Sequence, residues 1–285
     1  MHNSTKKCLV IGANSFIGRH LIAKLRKRDE VFGIYHNSRN NLFSDINYWP
    51  IEKLDDIETE FDLVYLVSAH IPSASIDKTE RLKMFEANVE LVDRVCSKYQ
   101  SSRIVFCSSV SVYQAKEGDI TEFDAEAGIN EYGVSKIWGE RLISRLGNYA
   151  IVRFSSVYGE GMKQNSIIPT YIRQAAETGE IKVFGSGERM QNYIYVSDAV
   201  AFLEAAGNYS QKARFLAVSP GSISNKFLAE HLAKKLNCKV IFEGGDNSPS
   251  FFYDNSYTTK TLGYECQVSF DDGINKVLKW TKEKY

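Results

Sequence analysis

Apolar residues along this chain follow two periods. Short apolar runs rich in Val, Ile and Phe alternate with longer stretches in which apolar residues return every three or four positions. The first pattern predicts strands buried on both faces, the second amphipathic helices packed on one side. Strands are expected at residues 8–11, 31–35, 46–51, 62–69, 103–106 and 151–154, then at 181–184, 193–196, 215–218 and 239–242. Helices are expected at 19–28, 79–98, 132–146, 167–178, 224–236 and 271–282, with another running to 206 and capped by Ser197 and Asp198. This alternation predicts an α/β fold, a Rossmann-type doubly wound parallel sheet. From about Gly161 the pattern becomes mixed, which divides the chain into residues 1–160 and a smaller C-terminal α/β region, 161–285. No repeat, low-complexity tract or linker separates the two, so the second is expected to lie on the first like a lid.

The first strand runs into Gly12-Ala13-Asn14-Ser15-Phe16-Ile17-Gly18 and then a helix. Strand, glycine turn and helix in this order open a dinucleotide-binding unit. Gly12 permits the tight turn, Gly18 lets the helix pack closely on the strand, and the intervening Asn14, Ser15, Phe16 and Ile17 bring the helix start to a pyrophosphate. Ser15 stands where a middle glycine is usual; its hydroxyl either narrows the approach to the phosphates or hydrogen-bonds one. The second strand ends at His36-Asn37-Ser38-Arg39-Asn40, where such folds distinguish their cofactors. A carboxylate there binds the ribose 2′-OH of NAD, whereas an arginine accommodates the 2′-phosphate of NADP. No acidic residue lies between Val31 and Asn41, and Ser38 and Arg39 can serve a phosphate. NADP is therefore the expected cofactor, with NAD the alternative. Ser68 and Ala69, at the carboxyl end of the 62–69 run, should border it. Asp55 is placed either near an adenine or in a plain loop. Asn88, on the apolar side of its helix, is expected to tie neighbouring backbone together.

Tyr132 and Lys136 stand one helical turn apart on one face of the 132–146 helix. An ammonium beside a phenol favours the phenolate and lowers its pKa, so the pair is suited to moving a proton to or from a carbonyl or hydroxyl oxygen. Cys107-Ser108-Ser109-Val110-Ser111-Val112-Tyr113 ends the 103–106 strand, and its hydroxyls are placed to hydrogen-bond a substrate oxygen.

Lysine and arginine total 35, equal to aspartate and glutamate, with a sequence pI near 7.0. That balance gives neither nucleic acid nor an anionic membrane an electrostatic reason to bind. Cys8, Cys96, Cys107, Cys238 and Cys266 show no metal-ligand spacing, so no metal is expected, and Cys8 and Cys107 read as core thiols of a reducing compartment. The polar lead at 1–7 carries no signal-peptide pattern and no apolar run is long enough to span a bilayer, which makes the cytoplasm the expected location.

Together these stretches resemble the extended short-chain dehydrogenase/reductase family, in its nucleotide-sugar epimerase, dehydratase and ketoreductase branch. The likeness covers almost the whole chain. It rests on the glycine turn, Ser108-Ser109-Val110-Ser111-Val112-Tyr113, Tyr132-Gly133-Val134-Ser135-Lys136, the segments 153–159 and 193–199, and Leu262-Gly263-Tyr264 through Asp272-Gly273 to Trp280. It implies that Tyr132 is the proton donor or acceptor at the sugar oxygen. Lys136 would lower the Tyr132 pKa and bind the nicotinamide ribose. Ser109, with Ser111 as runner-up, would hydrogen-bond the same oxygen. Ser156 occupies the place of an asparagine that contacts the sugar nucleotide. Gln191-Asn192 replace an Arg-Asp pair whose arginine grips a diphosphate, and Arg189 is the candidate to substitute.

The resemblance and the missing carboxylate point first to an NADPH-dependent ketoreductase acting on a nucleotide-linked keto-deoxysugar of surface polysaccharide biosynthesis. A 4-epimerase with tightly held NAD uses the same residues and is the alternative. A dehydratase fits less well, because Ser109-Val110-Ser111 offers no acidic pair. A non-catalytic nucleotide-binding regulator is the reading from another class. The resemblance also implies a homodimer built from the helices at 79–98 and 132–146.

Overall fold

In chain order the computed structural model consists of β1 (Lys7–Ile11), α1 (Phe16–Leu25), β2 (Glu30–Tyr35), β3 (Asn47–Pro50), β4 (Leu63–Leu66), α2 (Lys78–Phe85), α3 (Leu91–Lys98), β5 (Arg103–Ser109), α4 (Glu131–Ile143), β6 (Tyr149–Phe154) and β7 (Ser156–Tyr158). There follow α5 (Ile167–Thr178), β8 (Glu180–Phe184), β9 (Met190–Gln191), β10 (Tyr193–Tyr195), α6 (Val196–Asn208), β11 (Ala213–Ala217), β12 (Ile223–Ser224), α7 (Asn225–Leu236), β13 (Lys239–Glu243), α8 (Ser256–Leu262) and α9 (Phe270–Lys284). The structure describes residues 5–40, 42–72, 76–128 and 130–284; the first four residues of the polar lead at 1–7 fall outside these.

Among the described residues the large sheet has the order β11-β6-β5-β4-β1-β2-β3, with every neighbouring pair parallel. The order reverses about β1, so the carboxyl ends of β1 and β4 open a crevice where ligands of such sheets bind. One face of the sheet packs on α1 and α6 through Leu21, Ile22, Phe202 and Leu203. The other packs on α3 and α4 through Val92, Val95, Leu142 and Ile143. Apolar side chains on both faces explain the unbroken apolar runs of the central strands. A third core joins α5, α7, α9 and the short pairs β7–β10 and β8–β13 around Tyr158, Ile181, Leu228 and Val277. The elements α6 and β11, which lie beyond residue 160, belong to the layers of the large sheet.

Two local expectations are corrected. The helix expected at 79–98 is interrupted by a π-helical turn, Glu86–Glu90, between α2 and α3. Ser197 and Asp198 do not cap α6: Tyr195 occupies that position without a side-chain bond, and Asp198 lies inside the first turn. Asp198 is buried instead against the chain's last segment. It accepts the Tyr264 hydroxyl at 2.6 Å, the Gln267 N–H at 3.0 Å and the Val268 N–H at 3.1 Å. Asp55 is an exposed partner of Arg94, 2.8 Å away.

Arg153 of β6 is fully buried and holds several elements together. Its Nε donates to Glu140 Oε1 at 2.9 Å, and Nη2 donates to Glu140 Oε2 at 2.5 Å and Glu126 Oε1 at 2.6 Å. Nη1 donates to the Tyr113 hydroxyl at 2.7 Å. Removing one member of a buried pair strands the other charge, at a cost of roughly 3–5 kcal/mol. Glu140→Ala is therefore expected to lower the unfolding free energy obtained from urea titration by an amount of that order, with a lower midpoint and an unchanged m-value. A loss below about 1 kcal/mol would show that Glu126 and Tyr113 suffice for Arg153.

Candidate active site

The glycine turn is fixed by its neighbours. Gly12 and Ala13 donate N–H bonds to Ile34 O at 2.9 and 2.8 Å, which ties the turn to β2. Gly12 has φ +94°, and a Cβ there would stand 2.8 Å from the Ser68 nitrogen. A Cβ on Gly18 would meet Gly12 O at 2.1 Å. Both positions therefore require glycine. Ser15 caps α1, its Oγ accepting the Gly18 N–H at 3.0 Å, so the oxygen serves the helix while the hydroxyl proton remains for another acceptor. The first turn of α1, which includes Phe16 and Ile17, carries no acidic residue. A glycine turn leading into a helix N-terminus with no acidic residue in its first turn fits a dinucleotide pyrophosphate.

Asn14 spends its side chain on the β2 exit. Its Nδ2 donates to His36 O at 2.8 Å and Ser38 O at 2.9 Å. Asn37 takes the left-handed conformation at φ +63°, and Ser38 Oγ accepts the Asn40 N–H at 3.0 Å. Arg39 is exposed, with its guanidinium carbon 5.7 Å from the centre of the Tyr35 ring. Ser38 and Arg39 thus sit on a framed segment beside the glycine turn. Ser68 and Ala69, just past β4, are half-buried, with the Ser68 backbone against Gly12.

The serine-rich end of β5 divides its work. Ser108 points into the core and donates to Glu140 Oε1 at 2.5 Å. Ser109 is half-buried, donates to Ser111 Oγ at 3.1 Å and hydrogen-bonds the Tyr132 phenol. The α4 helix starts at an Asn130 cap and approaches so closely that a Cβ on Gly133 would lie 2.1 Å from Ser111 O. Ser109, Ser111 and Tyr132 are brought together in this way. Lys136, 1% exposed, donates to Cys107 O at 2.7 Å and stands 4.1 Å from the centre of the Phe106 ring.

The expected effect of Lys136 on Tyr132 is corrected. Burial pushes the phenol well above its ordinary value, the neighbouring Cys107 adds to the rise, and only the Ser109 hydrogen bond opposes it. Burial also pushes the Lys136 ammonium down to about 8, against the opposing influence of Cys107 and Glu140. Both side chains are driven toward their uncharged forms because the surroundings are dry. A Tyr132 that keeps its proton is a donor to an incoming oxygen.

Three residues not singled out as site residues support this group. Asn88, in the π-helical turn and fully buried, accepts the His70 N–H at 2.8 Å and donates to His70 O at 2.9 Å and Ser135 Oγ at 3.0 Å. Ser135 Oγ in turn donates to Tyr132 O at 2.7 Å. The backbone tie expected of Asn88 is present, and its reach to α4 follows from the π turn, which the apolar spacing could not show. His70 meets Glu80 at 2.8 Å.

On the other side of the cleft, Ser156 is exposed at the start of β7, beside Tyr193 of β10. Gln191 Nε2 donates to Asn225 Oδ1 at 2.6 Å, and Asn192 Nδ2 donates to the carbonyls of Ser219 and Gly221, both at 2.9 Å. Arg189 faces Asp246 at 3.8 Å. Among the described residues no group of three metal-ligating side chains converges, and no helix is long and apolar enough to cross a membrane.

A parallel sheet with a glycine turn at its switch point defines a dinucleotide-binding protein of the Rossmann class. Within that class the chain belongs to the NAD dependent epimerase/dehydratase family, whose profile matches residues 8–214. It is 27% identical to dTDP-4-dehydro-6-deoxyglucose reductase of Escherichia coli, over 95% of this chain and 96% of the relative. It is 25% identical to UDP-N-acetyl-alpha-D-glucosaminuronate decarboxylase of Bacillus cytotoxicus, over 98% of each. The UDP-glucuronic acid 4-epimerase of Bacillus cereus, solved with UDP-glucuronic acid and NAD, superposes with a TM-score of 0.86 at 24% identity, over 98% of this chain and all of that one.

The Lys136 environment makes a signed prediction. A lysine whose folded pKa is depressed to about 8 opposes folding while it must be buried as a cation. That opposition is relieved as pH rises from about 8 to the free lysine value. Wild type should gain stability relative to Lys136→Met across this window, measured as paired denaturant curves at stepped pH. A constant difference between the two proteins would show that Lys136 stays charged in the fold.

Proposed function

We propose that this enzyme reduces a nucleotide-linked keto-deoxysugar with NADPH, as a step in surface polysaccharide biosynthesis in the cytoplasm. The observation that carries the reading is the β2 exit: Ser38 and Arg39 stand on a segment held by Asn14, and no carboxylate occurs between Val31 and Asn41. A 2′-phosphate meets a cation and a hydroxyl there rather than a like charge. The likeness to a dTDP-4-dehydro-6-deoxyglucose reductase over nearly the full chain supports the same reaction class.

In this proposal Gly12, Asn14, Ser15, Phe16, Ile17 and Gly18 receive the pyrophosphate, Ser38 and Arg39 the 2′-phosphate, and Ser68 and Ala69 border the dinucleotide. A nicotinamide held there would supply the hydride for the sugar carbonyl. Tyr132 donates the proton to the carbonyl oxygen, and Ser109, steadied by Ser111, gives that oxygen a second hydrogen bond. Lys136 binds the nicotinamide ribose. In this proposal residues 1–160, joined by α6 and β11, form the cofactor unit and the remainder of 161–285 the substrate region, with Ser156, Arg189 and Gln191 on the substrate side.

Loss of absorbance of reduced nicotinamide, with nucleotide-linked 4-keto-6-deoxysugars as substrates, is the direct test. NADPH is expected to be consumed stoichiometrically and NADH much more slowly. Tyr132→Phe should lower kcat by at least roughly a hundredfold while still binding NADPH. No net consumption, with NAD released on denaturing the protein, would instead identify an epimerase that recycles its cofactor.

We further infer a homodimer through α2 and α4. Leu82, Phe85, Val134 and Trp138 are each about half exposed on the outer side of these helices, around a cavity of about 350 Å³. Contiguous exposed apolar side chains of this kind mark an interface. Light scattering should give twice the chain mass of 32.3 kDa, and Trp138→Glu should give the single chain. A wild-type monomer at micromolar concentration would remove the inference.

A further inference from the structure

Tyr132 and Lys136 begin a row that runs one turn further. Glu140 stands four residues beyond Lys136 on α4, so the three side chains share one face of the helix at successive turns. The end of β5 meets all three with consecutive residues. Ser109 hydrogen-bonds the Tyr132 phenol, the Cys107 carbonyl accepts the Lys136 ammonium at 2.7 Å, and Ser108 Oγ donates to Glu140 Oε1 at 2.5 Å. Lys136 and Glu140 are each 1% exposed, so solvent ions screen neither from the other.

A buried ammonium sheds its proton unless a negative charge answers it. The Cys107 carbonyl and the Phe106 ring, 4.1 Å away, are neutral partners. Tyr132 keeps its proton, and burial pushes the Cys107 thiol up to about 11, so both are uncharged near neutral pH. The π turn contributes the Asn88 amide, and α3 packs on the far end of α4 with Val92 and Val95. At the exposed start of α4, Glu131 is paired with Arg81 at 2.7 Å. From β6 comes Arg153, bonded to Glu140 through two nitrogens, and from the segment between β5 and α4 come Tyr113 and Glu126, both bonded to Arg153.

Glu140 is therefore the anion beside Lys136, and Arg153 is the cation behind Glu140. Arg153 divides its donors between Glu140 and Glu126, so it does not cancel the Glu140 charge by itself. The carboxylate favours the ammonium, against burial, which acts the other way.

Resting on the proton chemistry assigned above to Tyr132 and Lys136, we propose that Glu140 is a positioning residue for the reaction: its buried carboxylate, held by Arg153 and Ser108, keeps Lys136 an ammonium beside Tyr132 at neutral pH. Glu140 touches neither sugar nor dinucleotide and acts through Lys136. A charged Lys136 steadies the phenolate that remains once Tyr132 has given its proton to the substrate oxygen. Without the carboxylate, the lysine enters the reaction neutral and that phenolate goes unanswered.

Heteronuclear NMR of selectively isotope-labelled lysine follows this charge in the full-length protein, the resonance being assigned by its loss in Lys136→Met. Wild-type Lys136 should titrate at about 8. Glu140→Gln should titrate at least about one pH unit lower, the size expected for one charge removed a helical turn away. Glu140→Asp, which keeps the charge, should stay close to wild type. Glu126→Gln also takes a carboxylate from Arg153 and should leave the Lys136 titration near its wild-type position. If Glu140→Gln does not fold, Glu140→Gln combined with Arg153→Met, which strands no partner between the two, should also titrate below wild type. An unchanged titration in Glu140→Gln would overturn the proposal. So would equal displacement by Glu140→Gln and Glu126→Gln, because Glu140 would then be only a strut for Arg153. Where a nucleotide-linked ketosugar consumes NADPH, the alkaline limb of kcat should move down together with the Lys136 titration, and a limb that stays in place overturns the proposal. If no ketosugar is consumed, the reductase reading fails, and the titration alone decides the role of Glu140.

Discussion

A buried guanidinium governs how the reactive residues are held. Arg153 leaves β6 inside the protein and meets Glu140 of α4, Glu126 of the preceding loop and Tyr113 at the end of the serine-rich segment. Glu140 also takes the Ser108 hydroxyl. One charge cluster therefore fixes β5, β6 and α4 relative to each other, and these carry Ser109, Tyr132 and Lys136. Such a cluster gains little net stability over an apolar core, but it tolerates only one arrangement of its members. Its position four residues beyond Lys136 means that the helix cannot rotate without breaking it.

Much of this was legible before any coordinates. The alternation of apolar runs with helical periods is a direct consequence of strands buried on both faces, so sheet and helices could be read in order. The glycine turn was legible because Gly12 and Gly18 have no room for a side chain. Tyr132 and Lys136 were legible by their spacing. The π turn at Glu86–Glu90 was not, since one extra residue in a turn barely disturbs an apolar stripe. Ser197 and Asp198 have the chemistry of a cap, but the partners of Asp198 lie some seventy residues further along, and long-range contacts leave no local signature. Nor could spacing show that Lys136 turns to the Cys107 carbonyl, because that depends on which way a buried side chain finds its acceptor.

The cleft combines dry and wet ends. Around Tyr132 and Lys136 burial suppresses charge on both groups, so any charge arriving there is felt strongly. Around Ser156 and Arg189 the protein is open and partly exposed. A substrate with an uncharged reacting end and a charged tail matches that gradient.

The fate of Asp198 bears on how the chain folds. This carboxylate enters the core with α6, but all three donors that satisfy it belong to residues 264–268, near the end of the chain. Without those residues in place, α6 cannot settle on β5 and β6 without burying an unanswered charge. The packing of α6 is therefore coupled to residues 264–268, although the strands of the large sheet are complete at Ala217. Loss of residues 264–268 would strip the buried Asp198 of these three donors and leave its charge unanswered beside the large sheet.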